Sequence, residues 1–316
     1  MSFSSATKNE LSRIPIVDDC CAMAELAALV RMNATIKISR NDNVVLKFTT
    51  ENAAIARRIF SLIKHIYNTS IEVVVRRNTQ LKKNNDYVVV VNEGDIPRRI
   101  LEDVGFIDED HSYFNPNYSI PKEIVEKRCC KRSYIRGAFI GGGSISNPEK
   151  TYHLEFVTGS EEHAEDLSRL INTFGLKSKV ILRKENYVVY IKEGEQIVDL
   201  LNIIGAHQAL LKLEDIRVFK NVRNNINRII NCETANLSKT IDASMKQIEN
   251  IKIIEDTIGL ENLPQNLREI AELRLQHREA SLKELGMMLN PPVSKSGVNH
   301  RFRKIEKIAE DLKGDE

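Results

Sequence analysis

"YIRGAFIGGGSIS", residues 134–146, decides how this chain of 316 residues is read. Three successive glycines, Gly141 to Gly143, follow an apolar segment and precede Ser144. A phosphate-cradling loop would put its glycines before a helix, with Lys and then Ser or Thr directly after them. Here the glycines come after a helical segment and no lysine follows them. The spacing of a dinucleotide fingerprint is missing as well. What remains is a helix that ends in glycine, the residue that forms a left-handed C-cap without steric cost.

The stretch has a counterpart. It follows the pair Cys129–Cys130; the pair Cys20–Cys21, 109 residues earlier, precedes "MAELAALVRMNATI" (23–36), also apolar and rich in small residues. "LKFTTEN" (46–52) returns as "LEFVTGS" (154–160), 108 residues on. "YVVVVNEG" (87–94) returns as "YVVYIKEG" (187–194) and "ILEDVG" (100–105) as "LLNIIG" (200–205), both 100 residues on. The first copy carries an extra "NTQLKKNND" (78–86). A repeat of this length outweighs any single motif. Within a copy, Leu26, Leu29 and Val30 space as one helical face, and Ile55, Ile59, Leu62, Ile63 and Ile66 as another. "TIKIS" and "VVLKFT" read as strands around the turn "RNDN" (40–43); "IEVVVRR" and "YVVVV" are two more. Residues 96–104 close the unit as a short helix. The predicted order is α-β-β-α-β-β-α, used twice, over about 20–105 and 129–205. Ala24, Ala27 and Ala28 in the first copy, and Gly137, Ala138 and Gly141 in the second, give both leading helices a small-residue face. The two helices are expected to pack on each other across a pseudo-twofold axis.

This pattern resembles the LAGLIDADG homing endonuclease fold, with "LAALVRMNA" (26–34) and "IRGAFIGGGS" (135–144) as the two motifs. The resemblance implies an acidic residue before the last glycine of each motif, which holds the catalytic metal ions. Those positions are Asn33 and Gly142, and neither supplies a carboxylate. The expectation is a nuclease fold without catalytic residues, cofactor or metal. The competing nuclease reading would need carboxylates from elsewhere, such as Glu25 or Glu155.

Bulk properties fit a globular protein: 42% hydrophobic and 28% charged residues, with net charge +2. No leader-like apolar segment opens the chain and no apolar run reaches the length of a membrane span, so a cytoplasmic protein is expected. The five cysteines lack CxxC spacing, which argues against a zinc ribbon and for reduced, packed thiols, with a metal or redox role as the alternative.

The last third loses strand character. Residues 206–258 read as a helical linker, with Asn221, Asn224, Asn225, Asn227, Asn231 and Asn236 set among Arg223, Arg228 and Lys239. Residues 259–316 read as a helix-turn-helix domain. Leu267, Ile270, Ala271 and Leu275 mark one helix; "SLKELGMML" (281–289) is the next, with Ser281 and Glu284 as a capping box. "NPP" stops it, and a third helix follows over 294–312 with Val298, Phe302, Ile305 and Ile308 inward. From Ser294 to Lys307 there are five basic residues, Lys295, Arg301, Arg303, Lys304 and Lys307, against Glu306 alone. Lys295, Asn299 and Arg303 share a face, the two cations suited to phosphates and Asn299 to a base edge. Ser296 and His300 add donors beside them, and Ser281 and Lys283 stand at the start of the preceding helix.

The expected fold class is α+β: a duplicated αββαββα domain over 1–205 followed by an all-α helix-turn-helix domain. That combination resembles the WhiA family, and the resemblance covers nearly the whole chain. Its most specific pieces are "YIRGAFIGGGSIS", "NNINRIINCETANLSKT" (224–240) and the segment from Ser281 to Leu312. It implies a partner in double-stranded DNA, a nucleoid-associated location, and a role in transcription control, sporulation, cell division or chromosome segregation. A scaffold whose N-terminal repeat binds a protein or a ligand stays open as the alternative.

Overall fold

The computed structural model describes residues 1–38, 43–77, 85–107 and 115–314. The expected turn at 40–43 and insertion at 78–86 fall largely outside them. The described chain divides into two units, Met1–Phe219 and Lys220–Glu316.

In the first unit the repeat is explicit. Helix α1 (Phe3–Leu11) precedes α2 (Asp19–Asn33), β1 (Ala34–Ile38), β2 (Val44–Thr50), α3 (Ala53–Tyr67), β3 (Glu72–Arg77), β4 (Asn85–Val91) and α4 (Ile96–Asp103). The second copy runs α5 (Arg128–Gly142), β5 (Gly143–Ile145), β6 (Leu154–Thr158), α6 (Glu161–Asn172), β7 (Lys179–Arg183), β8 (Asn186–Ile191) and α7 (Gly194–Ile204). Each copy builds an antiparallel four-stranded sheet, in the orders β1-β2-β4-β3 and β5-β6-β8-β7. The registers correspond. Ala34 faces Phe48 and Thr50 faces Tyr87; in the second sheet Gly143 faces Phe156 and Thr158 faces Tyr187. The sequence offsets of the two copies thus reappear as equivalent strand pairs.

The core of this unit is organised around α2 and α5. Leu26, Ala27, Ala28 and Leu29 are fully buried, as are Tyr134, Ile135, Ala138 and Phe139. The glycines of α5 set how near the two helices come. A Cβ on Gly137 would lie 2.4 Å from the Glu25 carbonyl oxygen, and one on Gly141 would lie 2.8 Å from Met32 Cβ. The expected left-handed cap is not what ends α5. Gly143 is extended, with φ −79° and ψ 153°, and opens β5 at once. Its glycine answers crowding instead, since a Cβ there would lie 2.5–2.7 Å from Phe139 atoms.

Helix α8 (His207–Thr257) is continuous. Ala209 and Leu213 belong to the core of the first unit, and Ile251 and Ile254 to that of the second. The segment expected as a linker therefore contributes side chains to both cores. Between them, every residue from 221 to 243 is exposed. The second unit continues through α9 (Gln265–Gln276), α10 (Leu282–Met288) and α11 (Lys295–Gly314). Its core joins Leu267, Ile270 and Ala271 to Leu285 and to Val298, Phe302, Ile305 and Ala309. Ile308, expected inward, is only half-buried, and Ala309 takes the fully buried position.

Candidate nucleic-acid interface

Three local devices fix the helix-turn-helix. Ser281 caps α10: its side chain accepts from Glu284 N at 3.3 Å while the Glu284 carboxylate accepts from Ser281 N at 2.7 Å. Gly286 lets the following turn fold onto α10. Val293 N donates to the Gly286 carbonyl at 2.9 Å, and a Cβ on Gly286 would lie 2.2 Å from the Val293 carbonyl oxygen. Ser294 then starts α11 by accepting from Gly297 N at 3.3 Å. Beneath these, the buried Arg274 donates to the Ala280 carbonyl at 2.6 Å and lies 5.5 Å from the Phe302 ring centroid. It pins the loop between α9 and α10 to the base of α11.

With Val298, Phe302, Ile305 and Ala309 inward, helical geometry places Ser296, His300, Arg303, Lys304 and Lys307 on the opposite surface. All five are exposed, as is Lys295. Asn299 is half-buried. It shares a small cleft with Arg303 and Glu306 and with Ala243, Lys246, Gln247 and Asn250 of α8. Lys246 Nζ closes that flank on the Glu306 carboxylate at 2.6 Å. Arg301 turns the other way and donates to the Asn266 carbonyl at 3.1 Å, securing the start of α9. Of the residues expected on this surface, then, Ser296, His300, Arg303 and Lys304 form one exposed face, and Lys295 is exposed in the first turn of α11. Asn299 and Arg301 lie on its two flanks, and Ser281 and Lys283 mark the start of α10. The exposed Lys307 extends the stripe by one turn.

The two positions of the nuclease motif stand at the C-terminal ends of α2 and α5, as Asn33 and Gly142. Gly142 has little room for a side chain: an added Cβ would lie 2.2 Å from Met32 Cε and 2.8 Å from the Val157 carbonyl oxygen. The two substitute carboxylates are engaged elsewhere. Glu25 is fully buried and accepts from Arg58 Nε and Nη2, both at 2.7 Å, and from Arg136 Nε at 3.0 Å. Glu155 lies 3.1 Å from His153 Nε2 and 3.2 Å from Arg183 Nη1. Burial alone would raise its carboxyl, but these partners outweigh that and hold it below the usual range.

One set of potential metal ligands comes together among the described residues. Cys20, Cys21, Cys129 and Cys130 bring their sulfur atoms within 4.8 Å of one another. Spacing within either pair gives no hint of this. The signal was in the repeat: equivalent positions on two helices that pack about a pseudo-twofold axis must converge.

Family profiles match along the chain. The WhiA N-terminal LAGLIDADG-like domain matches residues 19–107, the WhiA LAGLIDADG-like domain 131–223, and the WhiA C-terminal HTH domain 226–309. Proteins named probable cell division protein WhiA from Alkaliphilus metalliredigens and Clostridium botulinum are similar at 58% and 56% identity, over 99% of this chain and 99% of theirs. The crystal structure of full-length DUF199/WhiA from Thermatoga maritima is similar with a TM-score of 0.60 at 26% identity, covering 98% of this chain and 99% of that one. The N-terminal LAGLIDADG domain of a DUF199/WhiA protein shares the fold, with a TM-score of 0.50 at 21% identity over 65% of this chain and 90% of that one. Three matched domains in order and identity above one half along the full length lead to one conclusion: this chain belongs to the WhiA family.

Proposed function

We propose that this protein is a non-catalytic, sequence-specific binder of double-stranded DNA that regulates cell division, chromosome segregation or sporulation, with α11 as its reading helix. One observation carries the reading. The face of α11 opposite its core residues is exposed and basic, and it lies in the segment matched by the helix-turn-helix profile. A major groove about 12 Å wide admits such a helix. Arg303, Lys304 and Lys307 then suit phosphates, and Ser296 and His300, with Asn299 at the edge, suit base edges. The link to cell division rests on the names of the relatives at 56–58% identity. Affinity measured against salt for a preferred and a scrambled duplex tests the assignment. Arg303→Ala and Lys307→Ala should each reduce the salt slope by about one unit. His300→Ala should cost about 1–3 kcal/mol on the preferred duplex and less on the scrambled one. Folded variants that all bind like the parent would remove α11 from the interface.

The absence of catalysis is supported by Asn33 and Gly142 and by the ion pairs that occupy Glu25 and Glu155. Supercoiled plasmid incubated with the protein and magnesium or manganese should stay intact. Nicking that copurifies with the protein and disappears in Glu155→Gln would restore the nuclease reading.

A further inference from the structure

The two cysteine pairs belong to different halves of the duplicated domain. Cys20 and Cys21 lie in the first turn of α2, and Cys129 and Cys130 in the first turn of α5. That is the end opposite Asn33, about 20 Å away along the helix at 1.5 Å per residue. All four are free thiols. Their sulfur atoms lie within 4.8 Å of one another, and those of Cys129 and Cys130 are 4.0 Å apart. A tetrahedral zinc–tetrathiolate centre with bonds near 2.3 Å has sulfur–sulfur edges of about 3.8 Å. No edge here exceeds that value by more than about 1 Å.

Burial holds the thiols of Cys21 and Cys130 above their usual range, and two features of the surroundings act against it. Helix N-termini favour negative charge, and two converge here. Ser133 Oγ accepts from Arg136 Nη2 at 2.9 Å, which leaves its hydroxyl proton free for the Cys21 sulfur. Arg136 is itself fixed by Glu25. This is the kind of outer hydrogen bonding that orients metal ligands. Lys127, Arg128, Lys131 and Arg132 flank the second pair in sequence, and Asp18 and Asp19 precede the first. Cys130 is buried while Cys20 and Cys129 are exposed, so a cation can enter from one side.

We propose that Cys20, Cys21, Cys129 and Cys130 form a closed tetrathiolate site for one Zn²⁺ per chain, clasping the two halves of the duplicated domain at the N-terminal ends of α2 and α5. Four sulfur ligands in tetrahedral array select a soft or borderline cation over magnesium or calcium. Binding deprotonates the thiols, releases their protons to solvent and involves no change of oxidation state. A fully ligated site of this kind is structural, with no position left for water or substrate.

The full-length protein, purified under reducing conditions, should carry one equivalent of zinc by elemental analysis. Metal-free protein titrated anaerobically with Co²⁺ should develop thiolate-to-cobalt charge-transfer bands and the intense visible bands of tetrahedral cobalt. One equivalent of Zn²⁺ should abolish them. Cys20→Ser and Cys129→Ser, at exposed positions, should each lose these bands, and Cys232→Ser should keep them. The cobalt spectrum of the parent protein decides the matter even if a variant folds poorly. Absence of the bands in the parent, or their persistence in both serine variants, overturns the proposal. So does an iron chromophore, or a disulfide within the four cysteines of freshly isolated protein in place of zinc.

Discussion

At Glu25 a residue that sequence alone offers as a spare nuclease carboxylate turns out to be a structural anion. It is fully buried between Arg58 and Arg136. Removing one partner of a buried ion pair leaves the others unpaired, which costs about 3–5 kcal/mol. Glu25→Ala should therefore lower the urea midpoint of the first unit sharply, followed by tyrosine fluorescence since the chain has no tryptophan. His163 sets a pH dependence by similar logic. It is fully buried, with Tyr134 OH 2.9 Å from Nε2 and Thr158 Oγ1 3.3 Å from Nδ1. Burial, helped by the charge of Arg31, pushes its pKa down to about 3. An unfolded histidine takes up a proton near 6.5. Between those values the unfolded chain holds the extra proton, so stability is complete above about 6.5 and falls as the pH drops. The loss should approach about 1.4 kcal/mol per pH unit. Thermal midpoints between pH 7 and 5 should fall faster for the parent than for His163→Gln. Neither role is visible in sequence, because the partners of Glu25 lie 33 and 111 residues away.

Elements show where sequence reading succeeds and where it stops. Two copies of one helix–strand pattern were legible because strand alternation, helical spacing and small-residue faces are all local signals. The ending of α5 departs from the expected left-handed cap because glycine serves two ends, left-handed backbone and close approach, and sequence cannot tell which one a position needs. The structure gives Gly137 to close approach, so Gly137→Ala should strain the α2–α5 contact by about 1–3 kcal/mol. Gly159→Ala, where an added Cβ meets nothing within 4 Å, should be nearly silent in the same thermal melts. Helix α1 escaped the pattern, as did its use of Glu10 to accept from Gln208 N at 2.7 Å and Ala209 N at 3.0 Å at the start of α8. A cap supplied from about 200 residues away leaves no local trace. In α11 the spacing puts Lys295, Asn299 and Arg303 in one row, but which flank α8 covers is not in the spacing. The outward stripe is centred one position round, on Ser296, His300, Arg303 and Lys307.

Across the whole molecule, net charge does not single out a nucleic-acid binder. Residues 220–316 hold sixteen basic against fifteen acidic side chains, and the remainder is as closely balanced. Association with DNA must then come from local arrangement, and the exposed cations between Lys295 and Lys307 of α11 are Lys295, Arg303, Lys304 and Lys307. Each phosphate neutralised contributes about −0.9 to the slope of log affinity against log salt. Four contacts per chain predict a slope of roughly −3 to −4 per bound chain. Because Lys220–Glu316 closes its own apolar core, it should fold alone and keep both most of the affinity and this slope. Met1–Phe219 should bind weakly with a shallow slope. Gel-shift titration of the two fragments and the full chain over a series of salt concentrations checks this. A full-length slope much steeper than that of the C-terminal fragment would move phosphate contacts into the duplicated domain. An equally steep slope in a Lys220–Glu316 variant lacking the four cations would move them to Arg223, Arg228 and Lys239 on the exposed stretch of α8.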